Sequence, residues 1–82
     1  MKVTWKVQRF RSGTRRWRAE AHGCRVIVIE FDPDGRPPWI YVSVHHIGSK
    51  LGVMETGLPA DVPAAKRRAL KLARRLEREA AR

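Results

Sequence analysis

Cys24 is the sole cysteine of the sequence, so no intrachain disulfide can form and a secreted, disulfide-stapled fold is excluded. Long apolar runs are missing as well. The longest purely aliphatic stretch is Val26 to Ile29, far short of the roughly 20 residues that cross a bilayer, and the first residues hold no apolar core of signal-peptide length. An intracellular, soluble, cytoplasmic protein without membrane contact is therefore expected. Acidic residues are scarce: 8 Asp plus Glu stand against 18 Lys plus Arg, a formal net charge of +10. The sequence has no Gly-rich phosphate loop, no nucleophile motif and no internal repeat.

Metal chemistry lacks its ligands. His22 and Cys24 stand closer together than zinc-site spacing requires, and there is no second cysteine to complete a set. His45 and His46 are adjacent, and in a strand they point to opposite faces. No metal and no cofactor are expected.

What is present is a period-two pattern followed by a helical one. At 82 residues the chain has room for a single domain spanning 1–82, and a core that small makes homodimerisation a live expectation. Val3, Trp5 and Val7 alternate with polar residues over Lys2 to Phe10, which reads as a first strand. Ser12-Gly13 is a turn, and Arg15 to Ala21 a second strand with Trp17, Ala19 and Ala21 on one face. His22-Gly23 then suits a two-residue hairpin loop. Cys24 to Phe31 is apolar on both faces, as a central strand should be, and Asp32-Pro33-Asp34-Gly35 is a turn. Pro37-Pro38 leads into a fourth strand, Trp39 to His46, and a fifth over Lys50 to Thr56 is interrupted by Gly52. The last element is a helix of about 62–81, capped by Asp61 or, equally allowed, by Val62 with Pro63 at the first helical position. The expected fold class is α+β: a four- to five-stranded antiparallel meander with one amphipathic helix packed on one sheet face.

The helix concentrates the charge. Plotted at 100° per residue, Ala65, Ala69, Leu72, Ala73, Leu76 and Ala80 share one arc, while Arg67, Arg68, Lys71, Arg74, Arg75, Arg78 and Arg82 fill the opposite side. That apolar arc is expected to cover a sheet face built from Val3, Trp5, Val7, Trp17, Ala19, Ile27, Ile29, Ile40, Val42 and Val44. The other sheet face would then carry Thr4, Lys6, Gln8, Arg16, Arg18, Val26, Val28, Trp39, Tyr41, Ser43 and His45, with aromatics interleaved among cations. Such a face suits base stacking and phosphate tracking; it equally suits a dimer interface or a simple aromatic cover over Val26 and Val28. Arg9, Arg11, Arg15 and Arg16 crowd the first hairpin as a third basic locus.

Most of the cations are arginine, which pairs bidentately with phosphate and stacks on flat rings. The leading expectation is a small, non-enzymatic nucleic-acid-binding protein for DNA or RNA. Phosphate contacts would dominate and sequence selectivity would be low. Its contact residues are read as Lys6, Arg9, Arg11, Arg15, Arg16, Arg18, Trp39, Tyr41, Arg67, Lys71, Arg74 and Arg78. The alternative is a phage- or mobile-element-type inhibitor docking on an acidic protein surface. A metal-independent ribonuclease, with His45 or His46 as general base and Lys50 or an arginine at the transition state, is the enzymatic alternative.

The run Arg15-Arg16-Trp17-Arg18-Ala19, the turn Asp32-Pro33-Asp34-Gly35-Arg36 and the closing Ala/Lys/Arg-rich helix resemble the amino-terminal arm-binding domain of tyrosine recombinases. The resemblance implies a three-stranded sheet against a carboxy-terminal helix, with the sheet reading duplex DNA; the apolar strand from Cys24 to Phe31 is additional to that pattern. Ala64-Ala65-Lys66-Arg67-Arg68-Ala69 is also similar to the last helix of double-stranded-RNA-binding domains, whose first helix has no counterpart here.

Overall fold

The computed structural model describes residues 3–31, 39–58 and 61–82. Five strands, β1 (Lys6–Arg9), β2 (Arg15–Ala21), β3 (Cys24–Phe31), β4 (Trp39–His46) and β5 (Gly52–Leu58), precede one helix, α1 (Val62–Ala80). The strands form a single antiparallel sheet in the order β1-β2-β3-β4-β5, each pairing only with its neighbours in sequence. This is the α+β meander with a packed helix that the patterning predicts. Among the described residues no helix is long and apolar enough to cross a membrane.

Turn chemistry sets the registers. His22 and Gly23 both have positive φ, 53° and 69°, the backbone of a type I′ turn, whose twist matches the strands it joins. Ala21 therefore lies directly opposite Cys24. The β1–β2 turn closes through the Phe10 amide donating to the Thr14 carbonyl at 2.9 Å, with Gly13 at a φ of 87°. β1 is shorter than the alternation suggests: pairing begins at Lys6↔Arg18, and Trp5, just before it, packs against the core. β5 starts at Gly52 rather than Lys50, because the Leu51 carbonyl accepts the His46 amide at 2.9 Å and closes the hairpin there. The expected turn at Asp32–Gly35 and the roles of Pro37, Pro38 and Pro59 lie outside the described residues.

α1 begins where Asp61 accepts a hydrogen bond from the Ala64 amide at 3.1 Å, with Pro63 in the first turn. A cap of this kind stabilises a helix by about 1 kcal/mol. The helix lies across β3 and β4. Ala65, Ala69 and Ala73, flanked by Leu72 and Leu76, form its buried stripe. Small side chains on that line let the helix backbone approach the sheet closely. Beneath it Cys24, Val26, Val28, Ile40, Val42 and Val44 are almost wholly excluded from solvent, and the Cys24 thiol donates to the Ala73 carbonyl at 3.6 Å. Where the helix starts, the Lys66 ammonium sits 5.3 Å above the rings of both Trp5 and Trp17, a cation–π arrangement that closes the core's edge.

One expectation is overturned. Ile27 and Ile29 do not face the helix; Val26 and Val28 do. Because Ala21 and Cys24 are a cross-strand pair on the helix side, every even-numbered residue of β3 follows Cys24 inward and every odd one turns outward. Val7 is a smaller correction. It pairs with Trp17 on the helix side, yet β1 lies beyond the helix's reach and Val7 stays 53% exposed.

Candidate nucleic-acid interface

Two basic surfaces result, on opposite sides of the molecule. The first is the sheet face that α1 leaves open. Cross-strand register places its residues in rows: Lys6, Arg18, Ile27, Ser43 and Met54 in one, and Gln8, Arg16, Ile29 and Tyr41 in the next. Arg25 and His45 follow on one side of these rows, Phe31 and Trp39 on the other. The face is thus divided. Most of the cations, Lys6, Arg16 and Arg18, stand on β1 and β2 together with Glu20, Arg25 stands on β3, and the apolar and aromatic side chains stand on β3 to β5. Phe31 and Trp39 stack with ring centroids 4.4 Å apart and planes 19° from parallel; Trp39 is exposed, as is Met54, whose sulfur accepts the Tyr41 hydroxyl. Among the described residues nothing packs over this face.

At the end of the face away from Phe31 and Trp39, a cleft of about 620 Å³ is lined by Thr4, Lys6, Arg18, Glu20 and Arg25. Lys6, Arg16, Arg18 and Arg25 make no ion pair among the described residues, and Glu20, directly across from Arg25, is the one acid lining the same cleft. Arg16 instead donates to the Gln8 side chain and lies 5.8 Å above the Phe10 ring.

The second surface is the outer side of α1. Arg67, Lys71, Arg74 and Arg78 are exposed and fall at i, i+4, i+7 and i+11, one stripe directly opposite the buried alanines. None of them meets an acid within ion-pair distance among the described residues. The flanking arginines differ. Arg68 forks onto Glu55 of β5 through three hydrogen bonds of 2.6–3.2 Å, and that contact holds the Glu55 carboxyl below its ordinary range. Arg75 reaches Glu79 at 3.4 Å.

The structure does not gather the predicted contact residues into one site. Lys6, Arg16, Arg18, Trp39 and Tyr41 share the open sheet face. Arg67, Lys71, Arg74 and Arg78 share the helix's outer side. Arg9 and Arg11 are exposed at the first hairpin. Arg15 is the exception: it turns to the helix side, pairs with the carboxylate of Glu30 and lies 5.0 Å above the Trp17 ring. Glu30 is 9% exposed, so this arginine has a structural partner to neutralise.

Sequence reasoning missed Arg25, Phe31, Ile27, Ile29 and Met54 on the open face. The signal was the two-residue His22-Gly23 loop, which fixes the parity of β3 once that of β2 is known. Of the candidate catalytic histidines, His45 is exposed on the open face, while the His46 ring is 2.8 Å from the Ser49 hydroxyl; the two do not converge. His22 approaches Glu77 at 3.5 Å. Burial, reinforced by the nearby Glu77 carboxylate, raises the Cys24 thiol above its ordinary range. Among the described residues no three His, Cys, Asp or Glu side chains come together as a metal site would require.

No protein-family model matches the chain, and no curated protein or solved structure matches it.

Proposed function

We propose that the chain binds single-stranded nucleic acid on the open face of its sheet. Bases stack on Trp39, Phe31 and Tyr41, and the backbone runs over Lys6, Arg16, Arg18 and Arg25. The observation that carries this reading is that one sheet face holds both a stacked aromatic pair, Phe31 and Trp39, and cations that make no ion pair among the described residues. Aromatic faces accept any base, and guanidinium groups accept any phosphate, so binding is weakly sequence-selective and strongly salt-dependent. The net charge of +10 draws a polyanion to the molecule before any contact forms.

The test is a titration of tryptophan fluorescence with a short oligothymidine at two salt concentrations. Stacking contributes about 1–3 kcal/mol per base, so Trp39→Ala should weaken binding by about 5- to 150-fold. Arg18→Gln with Arg25→Gln removes two phosphate contacts and should flatten the log–log salt slope by about 1.4. Binding that is absent at low salt, or indifferent to Trp39, overturns the proposal.

A second reading has one observation in its favour. Ile27, Ile29 and Met54 lie among the aromatics, and stacking does not need aliphatic side chains. A protein partner, acidic at its rim and apolar at its centre, would use them. It predicts that Ile29→Ser weakens capture of that partner while oligothymidine binding stays absent in the wild type.

A further inference from the structure

The two cationic surfaces cannot serve one strand at once. The open sheet face and the stripe Arg67, Lys71, Arg74 and Arg78 look in opposite directions, across a body 22 and 20 Å along its shorter axes. At physiological ionic strength charges are screened beyond about 8 Å. Occupation of one face therefore leaves the field of the other almost intact.

The faces also differ in kind. The sheet face carries aromatics as well as cations. The helix stripe has cations without aromatics, rises about 16 Å from Arg67 to Arg78 at 1.5 Å per residue, and contains no acid. A surface of that sort offers nothing for an unstacked base to lie on. It matches a phosphate backbone, whose charge is densest in a duplex.

We infer that the protein is a two-faced bridge, holding a single strand on its sheet while the outer side of α1 grips the backbone of a separate duplex. The inference rests on the proposed sheet-face reading and adds a second, independent partner site. One protein monomer joins two nucleic acids. The flanking pairs fit this division: Arg68 is engaged by Glu55 and Arg75 by Glu79, which leaves the central line of the helix without an ion pair among the described residues.

The experiment uses the full chain, a donor-labelled oligothymidine and an acceptor-labelled duplex of unrelated sequence. Energy transfer between them should rise with protein and then fall, because excess protein places each nucleic acid on a separate molecule. Sedimentation should give one protein per bridged pair. Lys71→Gln with Arg74→Gln should abolish the transfer and lower the duplex salt slope by about 1.8, while oligothymidine affinity stays within about twofold. Both positions are exposed, and an unchanged circular dichroism melt confirms the fold; Arg67→Gln with Arg78→Gln is the second pair on the same stripe and should behave alike. If duplex and oligothymidine displace each other one for one, the bridge is overturned while the sheet-face reading survives. If the bridged species contains two proteins, or if neither helix pair affects the transfer, the bridge is likewise refuted. Duplex binding without any oligothymidine binding refutes the sheet-face reading and the bridge together, leaving a one-sided helix surface.

Discussion

Which face of β3 looks at the helix decides what the open face contains, and paired threonine substitutions test it directly. Val28 is 0% exposed beneath α1, whereas Ile27 is half-buried on the opposite face. Val28→Thr preserves shape and β-branching, so it opens no cavity and keeps strand propensity. It places a hydroxyl in the apolar layer between Val26, Val42 and the helix, at a cost of about 1–3 kcal/mol. Ile27→Thr removes one carbon more, which by chemistry alone would make it the costlier change. On the open face, however, its hydroxyl reaches water, and only about half of a methylene's 0.8 kcal/mol is lost with the extra carbon, so the total stays below about 1 kcal/mol. A domain of this length is stable by about 4–12 kcal/mol, and urea unfolding has a slope of about 1 kcal/mol per molar. The midpoint should therefore drop by about 1–3 M for Val28→Thr, and by less than about 1 M for Ile27→Thr. Equal drops, or the larger drop for Ile27→Thr, would refute the register and with it the composition of the proposed binding face.

Arg15→Met should destabilise the fold by about 1–3 kcal/mol, because it strands the Glu30 carboxylate in a mostly buried site; Arg15→Met with Glu30→Leu should recover most of that loss in the same urea assay, and no recovery would show that the pair does not act as a unit. Arg68 holds Glu55 below its ordinary range, so the folded carboxylate keeps its charge to lower pH than the unfolded one. The resulting stabilisation is present above the ordinary glutamate range and disappears as pH falls through the depressed value. Glu55→Gln should accordingly give a shallower acid limb in thermal melts against pH, and an identical limb would contradict the pairing. The Cys24 thiol is raised by burial, so the folded protein should react with a disulfide reagent far more slowly than the urea-unfolded chain. Its sign is the reverse of Glu55: above the ordinary thiol range the unfolded state ionises first and stability falls. Comparable reaction rates for native and unfolded chain would place Cys24 at the surface instead.

The fold was legible because its signals are local. Alternation marks β2 and β4, the turn residues bracket the strands, and Asp61 with the alanine repeat marks α1. β3 was harder to read. Aliphatic side chains stand at both parities between Cys24 and Phe31, and the two charges disagree, since Arg25 votes for one face and Glu30 for the other. Only the pairing across His22-Gly23 resolves the conflict, and it does so through backbone geometry rather than hydrophobicity. Glu30 could be buried because Arg15, fifteen residues back and directly opposite on β2, meets it on the helix side. That partnership has no local sequence signature. For the same reason Arg15 looked like part of a basic finger when its neighbours Arg9 and Arg11 were counted with it. The separation of sheet and helix cations onto opposite sides was implicit in the packing, but a charge total conceals it.

The neighbour-only order of the strands has a consequence for how the chain comes into being. Each strand finds its partner a few residues back, so the sheet closes through short loops and its local contacts favour rapid assembly. α1 follows all five strands in sequence, and it is the element that covers Val26, Val28, Val42 and Val44. During synthesis the sheet therefore precedes its own lid, and the valine layer stands bare until the final helix leaves the ribosome. A chain truncated before Asp61 would present that layer permanently, and its fate would be self-association rather than loss of secondary structure.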